Sequence, residues 1–410
     1  MNVLLFDPSP SRNDYLTRIY FEGLVARSSE LGVTVTRIDS LAGITNSVIL
    51  INGDHLDLET IHRLRNDGNK LIAFDINDNT LLAQSYRDNG LSDMPDLIFK
   101  VGGIQKFRVS QDLSVDEDFG FSMMEREFLN EGAWEVYRQL DRQKMLLSLP
   151  YVPWGNREWP SVPFERRSNN VLIRGGCHIY RFLTFLSLCR SNRAHSKCSF
   201  SLRDYFREDM NKQFRFCDSC RTGDQSTGRM GCTSPAEWGG DKVTGLDRYE
   251  NANHWNNRCP RSFEWLAWKF IEKHGYIHIP LVRQALSGKF DAEDEFFRDL
   301  SHATFYADLK WLFSIYCPPR FWEAANVRTI NLLPSRTNEQ EYFPHIITGK
   351  HYLTFREDFS QQWPVVDEEE FGLITGNARD LYEQWIRPGN ATISSNLARH
   401  IFDQIEIAVS

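Results

Sequence analysis

The chain has no apolar run approaching the ~20 residues of a membrane-spanning helix, so a transmembrane helix is excluded. It also lacks a surplus of positive charge. A net charge of -8 at pH 7 argues against a general nucleic-acid binder, whose contact face would be basic. No G-x-G-x-x-G follows the first apolar segment, so the dinucleotide fingerprint is missing, which counts against an NAD or FAD enzyme. The opening residues, MNVLLFDPSPSR, carry no basic stretch and no small-residue cleavage site. They read as a first strand and not as a secretory leader. Eight cysteines without a leader read as thiols or metal ligands in a reducing compartment, and the expected location is the cytoplasm.

What is present is the length and grammar of a two-domain α/β protein. A chain of 410 residues is long for one core and natural for two. In the first half, apolar strands at 2–6, 33–38, 48–51, 71–74 and 97–101 alternate with helical patterns at 15–31 and 56–67. Such alternation predicts a parallel sheet with helices on both faces. The strands run into Asp7, Asn52-Gly53-Asp54-His55, the polar loop from Asp75 to Asn79 and Gly102-Gly103. Those carboxyl ends are where such sheets place ligands.

The Pro- and Trp-bearing stretch 150–167 reads as the interdomain linker. A strand at 171–173 then runs into Arg174-Gly175-Gly176, read as a turn, with an apolar helix at 180–189. Helical spacing recurs at 263–271, 296–315 and 320–325. Late in the chain, NVRTINLLPSRTNEQEYFPHIITGKHYLTF reads as strand, polar turn, helix, glycine, strand. Its turn holds Ser335, Arg336 and Thr337 before the expected helix start, where N–H groups and the dipole favour an anion. Glu341 follows about one turn in, placed to accept from ribose hydroxyls. The acidic run 367–370 reads as a solvated loop, 371–375 as a strand, and 378–386 and 394–407 as helices.

The segment 328–355 and the glycine turn at 174–176 resemble the donor-binding half of glycosyltransferases with two facing Rossmann-like domains, the GT-B architecture. The nearest groups are the exostosin-like and spore-maturation-protein-like ones. The acid of those groups lies five residues before the glycine, where this chain has Pro344; Glu341 lies three residues earlier. The resemblance implies an acceptor domain at 1–155 and a donor domain at 156–376 with an insert at about 203–262. It also implies C-terminal helices at 377–410 that cross back to the first domain. It implies a nucleotide sugar as donor, held by Arg174, Gly175, Gly176, Arg181, Ser335, Arg336, Thr337 and Glu341. The acceptor is a glycan, a lipid-linked molecule or a small molecule. No divalent metal is required for catalysis on this reading, and no Asp-x-Asp stands at a strand end.

The first domain would supply any catalytic base. An inverting transfer needs a carboxylate or His to take the acceptor's proton. The candidates are Asp7, Asp54, His55, Asp75 and Asp78, with Asp75 and Asp78 preferred because they share one polar loop. The insert carries Cys217-Asp218-Ser219-Cys220, then Cys232 and Cys259. Four thiols have the ligand type and number of a closed tetrahedral zinc site that could staple a polar loop. Alternative readings are a catalytically inactive nucleotide- or glycan-binding module of the same fold and a DNA-base glycosyltransferase.

Overall fold

The computed structural model describes residues 1–7, 15–76, 89–104, 131–153, 159–176, 198–203, 293–307, 319–355, 364–387 and 392–410, with single residues 82, 86, 106 and 317. Among them, six parallel strands form a first sheet: β1 (Asn2–Phe6), β2 (Thr34–Ile38), β3 (Val48–Asn52), β4 (Lys70–Asp75), β5 (Leu97–Val101) and β6 (Leu146–Leu149). They lie in the order β2-β1-β3-β4-β5-β6. All five residues of β5 are buried, as expected of a strand covered on both faces.

The covering helices divide between those faces. Helix α1 (Tyr15–Ser28) packs Ile19, Phe21 and Leu24 with Val3, Leu5 and Phe74 on one side. Helices α2 (Leu58–Asn66) and α3 (Glu131–Arg142) pack Ile61, Leu64, Tyr137 and Leu140 with Ile49, Ile51 and Ile98 on the other. Helix α2 begins where Asp57 Oδ1 accepts from Thr60 N at 2.7 Å, and Gly68 beyond its end takes φ +76°.

A second parallel sheet follows, built from β7 (Ser168–Gly176), β8 (Cys198–Arg203), β9 (Ala303–Ala307), β10 (Ile330–Pro334) and β11 (Leu353–Phe355). Its order is β11-β10-β9-β7-β8. Numbered from each sheet's own first strand, both run second, first, third, fourth, fifth, and the first sheet adds a sixth. One topology is used twice, and each copy reverses direction between its first and third strands.

Helices α4 (Glu293–His302), α5 (Pro319–Asn326) and α6 (Glu368–Leu381) accompany the second sheet. Ala378, Tyr382 and Ile386 share a core with Trp322 and Leu333. The chain then returns. Helix α7 (Ser395–Val409), capped by Ser394 Oγ on Leu397 N at 3.1 Å, buries Leu397, Ile401, Phe402 and Ile405 in the first sheet's core beside α1.

Three local expectations give way. Residues 371–375 are helical, within α6, because Phe371, Ile374, Thr375 and Ala378 are buried at the i, i+3, i+4, i+7 spacing. The acidic run before them is that helix's start. Asp367 Oδ1 accepts from Glu370 N at 2.9 Å, and three glutamates occupy the positive end of the dipole. The apolar stretch from 296 holds α4 only to His302. ATFYA then becomes the strand between β7 and β10, every residue of it buried, so sheet position overrides local pattern.

The turn before β11 contains a pH-sensitive element. Ile347 N donates to His351 Nδ1 at 2.9 Å, which needs that nitrogen unprotonated. Burial first, then Lys350 and His345, lower the His351 pKa from 6.5 to about 4. Between about pH 6.5 and 4 the unfolded chain therefore binds a proton at this site that the folded chain does not. Stability from His351 is complete above pH 6.5 and is lost as pH falls toward 4. Urea midpoints at pH 7 and pH 5 should show the loss, and His351→Gln should flatten that part of the slope.

Candidate functional site

The two sheets meet at their carboxyl edges. Beyond β5, Gly102 and Gly103 take φ +97° and +133°, and a Cβ on Gly103 would lie 2.8 Å from the Tyr342 ring. Only glycine admits so close an approach. Ile104 N donates to Glu341 O at 2.9 Å, Glu341 N returns a bond to Ile104 O at 3.2 Å, and Cys317 N donates to Gly102 O at 2.6 Å. Phe343 N donates to Ser148 Oγ of β6 at 3.1 Å. Residues just past β5 therefore pair with residues just past β10, and both carboxyl ends border one seam.

Side chains reinforce it. Lys106 Nζ lies 2.8 Å from Asp141 of α3 and 2.6 Å from Glu341. Burial alone would lower its pKa, but the bonds to Asp141 and Glu341 leave it raised, so the ammonium is held charged. At the crossing to α7, the Phe343 and His400 rings stack with centroids 4.0 Å apart, and Trp385 meets Phe343 edge-on at 4.9 Å.

Six of the eight residues expected to hold a donor lie on the second sheet's carboxyl edge, in altered local structure. Arg174, Gly175 and Gly176 do not form a turn; they finish β7, opposite Ser201, Leu202 and Arg203 of β8. Ser335, Arg336 and Thr337 open a 3₁₀ segment, Ser335–Glu339, directly after β10. The two groups are not neighbours, because β9 runs between β7 and β10. Two strand spacings place them ~10 Å apart along the edge.

Thr337 is buried, with its hydroxyl near Tyr342 but in no hydrogen bond of ordinary geometry. Glu341 is not on a helix. Its own N–H and C=O are both spent on Ile104, and Pro344 follows, which a helix interior does not tolerate. Its carboxylate lies on Lys106, which makes it a seam residue in this conformation. Arg181 lies outside the described residues.

On the first sheet, Asp75 ends β4 with no exposed surface. Lys100 Nζ lies 2.7 Å from its Oδ1, and Tyr86 Oη donates to its Oδ2 at 2.8 Å. A carboxylate so enclosed is placed to organise the strand ends, not to meet a substrate hydroxyl. Asp78, like Cys217, Cys220, Cys232 and Cys259, lies outside the described residues. By contrast Asp54 and His55 are exposed, on a 3₁₀ turn (Gly53–His55) that closes β3 beside the reversal of strand order. Among the described residues, no three His, Cys, Asp or Glu side chains converge as metal ligands, and no helix is long and apolar enough to cross a membrane.

No protein-family model matches the chain, and no curated protein matches it. Solved structures are similar to it at low identity, among them the following three. The GtfA/B complex shares 10% identity with a TM-score of 0.36, covering 89% of this chain and 58% of that one. TarM shares 8% with a TM-score of 0.34, covering 88% and 55%. The pneumococcal O-GlcNAc transferase GtfA in complex with UDP and GlcNAc shares 10% with a TM-score of 0.32, covering 89% and 55%. The chain thus spans a little over half the length of the structures it matches. Likeness at this level decides neither fold nor activity. The fold rests on the strand orders and the seam described above.

Proposed function

We propose that the chain is a GT-B-type glycosyltransferase, moving a sugar from a nucleotide-diphosphate donor to a glycan, lipid-linked or small hydroxyl acceptor. The observation that carries this reading is the pair of parallel sheets of one topology, joined along their carboxyl edges. Parallel sheets place ligands at that edge, near the reversal of strand order. Two such edges bordering one seam provide separate places for two substrates of one transfer.

On this reading the donor takes the second edge. Gly175 and Gly176, at the end of β7 beside the reversal, let the diphosphate approach backbone, with Arg174 and Arg181 supplying positive charge. Ser335, Arg336 and Thr337 extend the same edge past β10. The separation of these groups suits a ligand with a phosphate end and a nucleoside end. Cations and N–H groups would carry the charge of the leaving diphosphate. The four cysteines of the insert keep the structural zinc reading, separate from the transfer.

A thermal-shift panel of UDP, GDP, CMP and dTDP tests the proposal. One nucleotide should raise the melting temperature selectively, with about 2.7 kcal/mol of stabilisation at a hundredfold excess over its dissociation constant. Arg174→Ala and Arg336→Ala should each weaken that shift. No shift with any of the four would remove the donor site.

A further inference from the structure

In the first sheet the chain leaves β1 through α1 to β2 on one side, and leaves β3 through α2 to β4 on the other. Helices α1 and α2 lie in cores on opposite faces of the sheet. They therefore diverge at β1 and β3, the place at the carboxyl ends where sheets of this topology bind ligands. Three titratable side chains stand there: Asp7 after β1, and Asp54 and His55 after β3.

The turn that carries Asp54 and His55 is held from several sides. Asn52 Oδ1 accepts from Asp54 N at 3.0 Å, and Leu56 N donates to Gly53 O at 3.0 Å. Leu56 itself is fully buried. The His55 ring stands edge-on to Phe6, the last residue of β1, at 6.3 Å and 83°. Beneath the turn, a Cβ on Gly53 would lie 3.0 Å from Tyr86 Oη, the hydroxyl that donates to Asp75. An exposed imidazole and carboxylate thus stand on a fixed platform, which is how a reacting group is kept in position. Strand β3 lies two strands from β5 and the seam, ~10 Å along the edge.

We infer that His55 takes the proton of the acceptor hydroxyl in an inverting transfer, with Asp54 as the carboxylate of the same subsite; this rests on the glycosyl-transfer reading. The acceptor oxygen bonds to the anomeric carbon as the bond from that carbon to the diphosphate oxygen breaks. The nucleotide diphosphate leaves with the electron pair, and the hydroxyl proton passes to the imidazole. Histidine is the side chain that most often does this work. Asp75 is excluded by its enclosure, and Asp78 is the rival that the experiment must separate.

Nucleotide release by the full chain is measured from UDP-glucose, UDP-N-acetylglucosamine, GDP-mannose and dTDP-glucose, with water as the acceptor. For a donor that the wild type turns over, His55→Ala should lower kcat by about 10²-fold or more, the range of general-base assistance. Asp54→Asn should lower it by less. The thermal shift given by the matching nucleotide should be unchanged in both, which also shows that each variant is folded. Turnover in His55→Ala above half the wild-type value overturns the inference alone. So does loss of nucleotide binding with the same substitution, or a large loss of kcat confined to Asp78→Asn. A wild type that releases nucleotide from none of the donors overturns the glycosyl-transfer reading, and this assignment with it.

Discussion

Lys100→Met is expected to destabilise the chain by about 3–5 kcal/mol, the range for breaking one half of a buried ion pair. Lys100 and Asp75 are register partners on β5 and β4, and neither side chain has exposed surface. Removing the ammonium leaves the Asp75 carboxylate enclosed with the Tyr86 hydroxyl but without its counter-charge. Desolvating a carboxylate costs several kcal/mol, so the loss reaches that of a large core truncation. The double variant Lys100→Met with Asp75→Leu should recover most of it, because an apolar pair of similar volume is often neutral or better. Urea unfolding of both single variants and the double variant gives the coupling energy directly. A single-variant loss under about 1 kcal/mol, below the range for such pairs, would show that the pair is not carried as ions. The result also bears on the site. Tyr86 spans from this pair to Gly53, so loosening the pair should loosen the turn that presents His55.

Five of the first sheet's six strands were legible in the sequence because they are short apolar runs ending at Asp, Asn or Gly; β6, which runs into Pro150, was not read. Helix α2 also announces both its ends, with Asp57 before and Gly68 after. What the sequence hid was set by contacts far along the chain. ATFYA carries as much aromatic and alanine character as a helix does, and only the β7–β10 gap makes it a strand. Glu341 looked helical until Ile104, far earlier in the chain, claimed its backbone. Asp75 looked like an exposed acid in a polar loop, and nothing local to it reveals that Lys100 closes over it. The Asp54-His55 pair was visible among the candidates, but its advantage depends on strand order, which no local pattern encodes. For α6 the signal was present and misread: an acid at the cap and three more behind it mark a helix start.

Arg167→Met is the second large effect, expected at about 3–5 kcal/mol from the loss of four charge-assisted hydrogen bonds, whose separate values do not simply add. The guanidinium donates to Val162 O at 2.8 Å, Ala303 O at 2.9 Å, Thr329 Oγ1 at 3.1 Å and Val327 O at 2.9 Å. It also lies 4.9 Å from the centroid of the Phe371 ring. One side chain thereby ties the linker to the starts of β9 and β10 and to α6. None of these acceptors is an anion. Desolvation, then the nearby Arg328, pull the Arg167 pKa down to about 10, which still leaves it charged at neutral pH. Methionine fills much of the volume but takes the guanidinium's donors away from three carbonyls, of which Ala303 O keeps only the longer bond from Thr329 Oγ1 at 3.4 Å among side-chain donors. Arg167→Lys should fail nearly as badly, since one compact ammonium cannot reproduce the planar fork. The location of the damage separates this role from a general loss of charge. Amides of β9 and β10 should lose hydrogen-exchange protection, while those of β3 and β4 keep theirs, because the Arg167 bonds reach the strand starts of the second sheet. Equal loss in both sheets would mean that the crossing helix α7 and the seam weld the two cores into a single unfolding unit.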